Sequence, residues 1–230
     1  MALDAPVRVV PFDVNETLSD MTPLRRRPEE VGAPAELFPT WFAGVLRDGF
    51  ALTAAGGYAS FDDVADAVVR GLLSRLPGWT GDPAHAAQHG LGGFTELEVR
   101  PDVPDGVRRL GAAGFRLATL TNGAADLTEQ LLVRAGLREH FEALLDITAV
   151  RAWKPAAAAY RHATETLAVD PTEALLVAVH PWDIDGARRA GPQAAWLRRG
   201  AAGYPTVMTA PTLIAADLRD LAHLLQPATS

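Results

Sequence analysis

Four polar clusters punctuate this chain of 230 residues: Asp13-Val14-Asn15-Glu16-Thr17, Thr121-Asn122, Trp153-Lys154-Pro155 and His180-Pro181-Trp182-Asp183. Lys154 is the single lysine among 21 Lys+Arg, and asparagine occurs only at Asn15 and Asn122. An ammonium kept once in an arginine-rich chain points to a buried point charge beside a carboxylate. The larger, planar guanidinium cannot take that place. Charge from Lys154 would keep Asp13 ionised and lower its pKa. Thr17 lies one turn past Asp13 and can donate its hydroxyl to it. A desolvated carboxylate held by a lysine is a nucleophile toward carbon or phosphorus. Asp183 adds a second acid that could orient or deprotonate water. Thr121 and Asn122 supply a hydroxyl and an amide.

These residues must be brought together by the elements that carry them. Val7 to Val14 is a short apolar run with β-branched residues, read as a buried strand ending at Asp13. From about Met21 to Glu98 the pattern turns helical. Ala35–Ala54 reads as one helix. Ser60–Arg75 reads as another, with Ser60 as cap and Val64, Val68, Leu72 and Leu73 on one face. Gly56-Gly57 and Pro77-Gly78 break the pieces. After Pro101 strands and helices alternate: a helix over Pro104–Ala113, a strand over Arg116–Thr121 and a helix near Ala125–Ala135. A short strand near Leu145–Val150, a helix over Ala156–Leu167 and a strand over Ala174–Val179 follow. A helix then runs to Ala190, and Ala194–Arg198 is the last certain strand. Such alternation predicts an α/β fold, a Rossmann-like parallel sheet with helices on both faces. Ligands then bind beyond the carboxyl ends of the strands. The expected division is a core of 1–19 and 99–230 with an inserted helical cap of 20–98.

Composition narrows the function. A net charge of −7 argues against nucleic acid and anionic membranes as partners. With no cysteine, disulfides, thiolate metal sites and thiol nucleophiles are excluded. No signal-peptide h-region or membrane-length apolar run is evident, so a cytoplasmic enzyme is expected. The partner expected is a small-molecule substrate, with a homodimer left open. His85 and His89 form an i,i+4 pair without further ligands and read as surface rather than zinc.

Phe-Asp-Val-Asn-Glu-Thr-Leu at 12–18 resembles the first motif of the haloacid dehalogenase superfamily. Leu-Thr-Asn-Gly at 120–123, Lys-Pro at 154–155 and Trp-Asp-Ile-Asp-Gly-Ala at 182–187 are similar to its other three. Superfamily phosphatases carry a second Asp in the first motif and further acids for magnesium. Here those positions read Asn15 and Val179. The resemblance therefore implies the metal-independent L-2-haloacid dehalogenase branch, with no cofactor. Mg²⁺ enters only under the alternative reading, a phosphatase on a small phosphate ester. A carboxylate binder without turnover is a second alternative.

By this resemblance Asp13, Thr17, Lys154 and Asp183 are catalytic. Asn15, Phe42, Thr121, Asn122, Tyr160, His180 and Trp182 bind substrate, and no residue binds metal. Asp13 would displace halide from C2 of a 2-haloacid, and water would hydrolyse the resulting ester. Three positions depart from the pattern. Phe42 follows Trp41 where an arginine usually cradles the halide, Ala178 replaces a serine and His180 replaces an asparagine. Loss of the cation weakens halide stabilisation. Partial compensation by His180 is expected, with Arg47 as the other candidate.

Overall fold

In a computed structural model that describes residues 3–201 and 203–226, the apolar run before Asp13 becomes strand β1 (Val9–Phe12), buried at every position. Its side chains alternate, so Val10 and Phe12 enter one apolar cluster and Val9 another. Five more strands follow: β2 (Arg116–Thr121), β3 (Phe141–Asp146), β4 (Leu175–Ala178), β5 (Gln193–Leu197) and β6 (Leu213–Ala215). Their order is β3-β2-β1-β4-β5-β6, and every neighbouring pair is parallel. This is the expected α/β fold.

Between β1 and β2 lie α1 (Arg27–Glu30), α2 (Leu37–Ala54), α3 (Phe61–Leu73), α4 (Pro83–Gly92) and α5 (Val103–Ala112). After β2 come α6 (Ala125–Arg134), α7 (Ala157–Thr166), α8 (Pro181–Ala190) and α9 (Leu218–Leu225). α5 and α9 place Val103, Val107, Leu110, Leu218 and Leu221 on one face of the sheet. α7 and α8 cover the other with Tyr160, Ala163, Ile184 and Ala187.

One strand expectation needs correction, and one strand is added. The strand placed near 145–150 is β3, which ends at Asp146. There the Asp146 carboxylate accepts from Thr148 N (2.9 Å) and Ala125 N (3.1 Å), and this Asx turn takes the chain out of the sheet. Arg151 then adopts φ 50°. The sheet also does not stop at β5. β6 (Leu-Ile-Ala) is three residues long, too short for a period to show, and Ile214 is exposed.

The segment holding α1 to α4 leaves and rejoins the sheet domain side by side. Ser19 bridges Val99, Asp20 N donates to Glu98 O (2.8 Å) and Arg100 N to Leu18 O (2.9 Å). Ser60 caps α3 as the sequence predicts, accepting from Asp63 N at 3.2 Å. Phe38, Trp41 and Val45 of α2 pack with Val64, Ala65 and Val68 of α3, and Trp41 Nε1 donates to Ala65 O (2.9 Å). These helices grip the sheet domain through Trp153. Its ring stacks on Phe61, its Nε1 donates to Ala59 O (3.0 Å) and its main-chain N donates to Thr53 Oγ1 (3.0 Å). None of the described helices is long and apolar enough to cross a membrane.

The topology places the functional residues. β1, β2 and β4 lie next to one another, and the chain reverses its direction of travel across the sheet between β1 and β4. Side chains just past these strand ends, with those on the loop after β3, converge at one edge.

Candidate active site

Asp13 follows β1 with 4% of its surface exposed, and Lys154 is fully buried beside it. The Lys154 ammonium donates to Asp13 Oδ1 (2.9 Å), Asp183 Oδ2 (2.7 Å) and Leu120 O (2.7 Å). Three protons meet three oxygens, which is the geometry of an ammonium and not of a fork. Burial would lower the Lys154 pKa, but the two carboxylates raise it, so the lysine stays charged. Asp183 stands in the first turn of α8, and its second oxygen accepts from Tyr160 Oη at 2.6 Å. Burial, then the Asp183 charge, raises the Tyr160 phenol and keeps it a donor.

The two carboxylates sharing Lys154 differ. At Asp13 burial works upward, but Lys154, His180 and Thr17 outweigh it and hold the carboxyl well below the usual range. At Asp183 burial wins over Lys154 and Tyr160, and the pKa rises. Asp183 gives its two oxygens to Lys154 and Tyr160 and so seats the lysine, while Asp13 turns its second oxygen to Thr17 and His180.

Asp13 Oδ2 accepts from Thr17 Oγ1 (2.7 Å), which itself accepts from Val179 N (3.1 Å) and so ties the β1 turn to β4. His180 Nδ1 lies 3.1 Å from the same Asp13 oxygen, and its Nε2 lies 2.9 Å from Glu16 Oε2. Burial would lower the His180 pKa, but these two carboxylates carry it up to about 9. The ring stacks on Trp182 at 5.0 Å, and Phe50 of α2 meets that indole edge-on.

The remaining predicted residues fall nearby in different roles. Asn122 accepts from Lys154 N (2.8 Å) and donates to Lys154 O (3.2 Å), so its amide clamps the lysine main chain. Thr121 Oγ1 accepts from Gly123 N (3.0 Å). Thr121 and Asn15 line a small cleft roofed by Phe61, Phe94 and Leu97. Phe42 packs in the apolar cluster of Phe38, Trp41 and Val14.

Both candidates for a substitute halide cation are engaged with carboxylates. Arg47 is exposed and paired with Asp48. His180 has both ring nitrogens on carboxylates, Asp13 and Glu16. His89 pairs with Glu30 Oε2 at 2.6 Å, a surface contact.

Two supports escaped sequence reasoning. Glu16 reaches His180 from a left-handed position, φ 63°. Arg199 grips Asp102 through two bonds (2.7 and 2.8 Å) and donates to Thr17 O (3.1 Å), steadying the β1 turn. The only signal for Glu16 was its place in the loop after β1, and Arg199 offered none.

The donor set bears on metal chemistry. Magnesium takes several hard oxygens around one centre. Here Asp13 and Asp183 both turn an oxygen to the Lys154 ammonium, Asn15 is neutral and Val179 has no side-chain oxygen. The residues fit a lysine, not a divalent cation.

A family model described as haloacid dehalogenase-like hydrolase matches residues 7–191. (S)-2-haloacid dehalogenase H-109 of Pseudomonas putida is 27% identical over 222 residues, 96% of this chain and 98% of that protein. (S)-2-haloacid dehalogenase of Pseudomonas sp. (strain YL) is 26% identical over 224 residues, 96% of each chain. The L-2-haloacid dehalogenase of Xanthobacter autotrophicus with chloropropionic acid covalently bound superposes with a TM-score of 0.87. It is 24% identical over 97% of this chain and 100% of that one, a likeness of fold.

Proposed function

This chain belongs to the haloacid dehalogenase-like hydrolases, and on that premise we propose that it hydrolyses the carbon–halogen bond of a small L-2-haloacid. The observation that carries the reading is the Asp13–Lys154–Asp183 cluster, which pairs a buried carboxylate with the chain's single lysine. Asp13 attacks C2 in line and halide leaves with inversion, giving an aspartyl ester. Water then attacks the ester carbonyl and frees the 2-hydroxy acid. Lys154 and Thr17 hold the carboxylate in place, Asp183 and Tyr160 hold Lys154, and Asn122 fixes the lysine main chain. Residues 20–98 act as a cap over the strand edge, and 1–19 with 99–230 form the core. Paired crossings at Ser19 and Val99 support that boundary.

Single turnover in H₂¹⁸O tests the nucleophile. Label belongs in the Asp13 carboxylate after the first cycle; label in the first product instead would mean direct water attack. Halide release is expected to survive exhaustive EDTA treatment. Loss of activity that Mg²⁺ restores would establish the phosphatase reading.

A further inference from the structure

A halide leaving carbon is helped by a hydrogen-bond donor that the protein has not already used. Most donors around Asp13 are spent. Lys154 gives its three protons to Asp13, Asp183 and Leu120 O, and Asn122 is bonded at both ends to the Lys154 main chain. Tyr160 and Thr17 donate to carboxylates, and both His180 nitrogens face them. Among the described residues, three side chains of the site keep a donor with no protein acceptor. They are Asn15, Trp182 and Thr121, whose hydroxyl accepts from Gly123 N (3.0 Å) and has its own proton to give.

Asn15 is the one bonded at neither end. It is half-buried, two residues past Asp13, and lines the cleft that Phe61, Phe94 and Leu97 roof. Gly123 keeps a notch open beside it: a Cβ there would lie 3.4 Å from Thr121 Oγ1 and 3.8 Å from Asn15 Nδ2. Thr121 ends β2 at the sheet edge, with its hydroxyl pinned by Gly123 N. Trp182 packs against His180 and Phe50 and does not line this cleft. In-line displacement sends the leaving group away from the strand edge that holds Asp13, toward the residues covering it. Apolar walls with one neutral amide suit a large, weakly hydrated halide. A carboxylate, with about four lone-pair sites to satisfy, would be left short of donors there. We propose that Asn15 holds the departing halide, its Nδ2–H donating to the anion; this rests on the dehalogenase reading above.

The step balances. An Asp13 carboxylate oxygen bonds to C2 as the bond from C2 to halogen breaks, and the halogen leaves with both electrons as a halide ion. The amide gives a hydrogen bond and no proton. Being uncharged, it makes a weaker bond than a guanidinium would. The site therefore discriminates by leaving group, taking bromide more readily than chloride.

Rapid-quench measurement of the halide burst, the first halide released per enzyme, tests this with L-2-bromopropionate and L-2-chloropropionate. Wild type is compared with Asn15→Ala, Asn15→Asp, Thr121→Val and Trp182→Phe. In Asn15→Ala the chloride burst is expected to slow about tenfold or more, the worth of one hydrogen bond to an ion. The bromide burst is expected to slow less, so the ratio widens while KM changes little. Asn15→Asp keeps the shape but has no proton to give when ionised. Its chloride burst is expected to fall below that of Asn15→Ala at neutral pH and to recover in acid, where the carboxyl is protonated and donates. A merely structural role would not produce that recovery. An unchanged ratio in Asn15→Ala, a ratio widened as much by Thr121→Val or Trp182→Phe, or no recovery in Asn15→Asp overturns the assignment. An unchanged ratio with a raised KM would instead put the amide on the substrate carboxylate. A wild type that releases halide from neither substrate sinks the dehalogenase reading and this assignment with it.

Discussion

Replacing Lys154 by arginine keeps the charge and destroys the fit. The ammonium spends three protons on Asp13, Asp183 and Leu120 O in a fully buried pocket, and a planar fork cannot address all three. Lys154→Arg is expected to lose at least about a hundredfold in kcat, about 2.7 kcal/mol of transition-state stabilisation; a near-normal kcat would show that the lone lysine is incidental. The halide side of the reaction is the weaker one. Phe42 is apolar, Arg47 is spent on the surface and both His180 nitrogens are occupied. The rate of the halide burst is therefore expected to fall steeply from bromoacetate to chloroacetate, because chloride needs more help to leave. Phe42→Arg is expected to raise the chloride rate. Equal burst rates for both halides would mean that another donor assists.

At the scale of elements, helix α2 is coupled to the lysine through Trp153. Gly49 lies against the Trp153 indole so closely that a Cβ would strike the ring. Gly49→Ala is expected to destabilise by about 1–3 kcal/mol of overpacking. It is also expected to lower kcat, because the displaced indole adjoins Lys154. Gly71 of α3 meets nothing within 4 Å. Gly71→Ala is expected to stabilise by about 1 kcal/mol through helix propensity alone, with kcat unchanged. Thermal melts and steady-state kinetics on the pair separate packing from propensity; matching effects would show that the Trp153 contact carries no tension to the site.

Across the whole molecule, the buried charges make stability depend on pH. The folded pKa of His180 is raised from 6.5 to about 9. Its contribution, on the order of 3 kcal/mol, is intact below 6.5 and is lost as the pH rises through about 9. Asp13 works oppositely: its folded pKa is depressed, so its contribution is lost only in strong acid. Melts of wild type are expected to fall through the alkaline window and those of His180→Gln to stay flatter; parallel curves would refute this origin.

Much of this molecule was open to reading in its residues. Alternating apolar runs and helical periods record which neighbours bury a side chain, and burial is local enough in sequence to leave that trace. So the parallel α/β rhythm, the Ser60 cap and the convergence of Asp13, Lys154 and Asp183 at strand ends were legible. The rare residue types sharpened the last of these. The end of β3 at the Asp146 turn and the three-residue β6 were not, since one depends on a side-chain bond and the other is too short to show a period. Nor were the Asn122 clamp, the engagement of both Asp183 oxygens or the Glu16–His180 pair, which spans 164 positions. Contacts near 3 Å between side chains on different strands depend on register, turn conformation and rotamer, and only the folded chain sets those together.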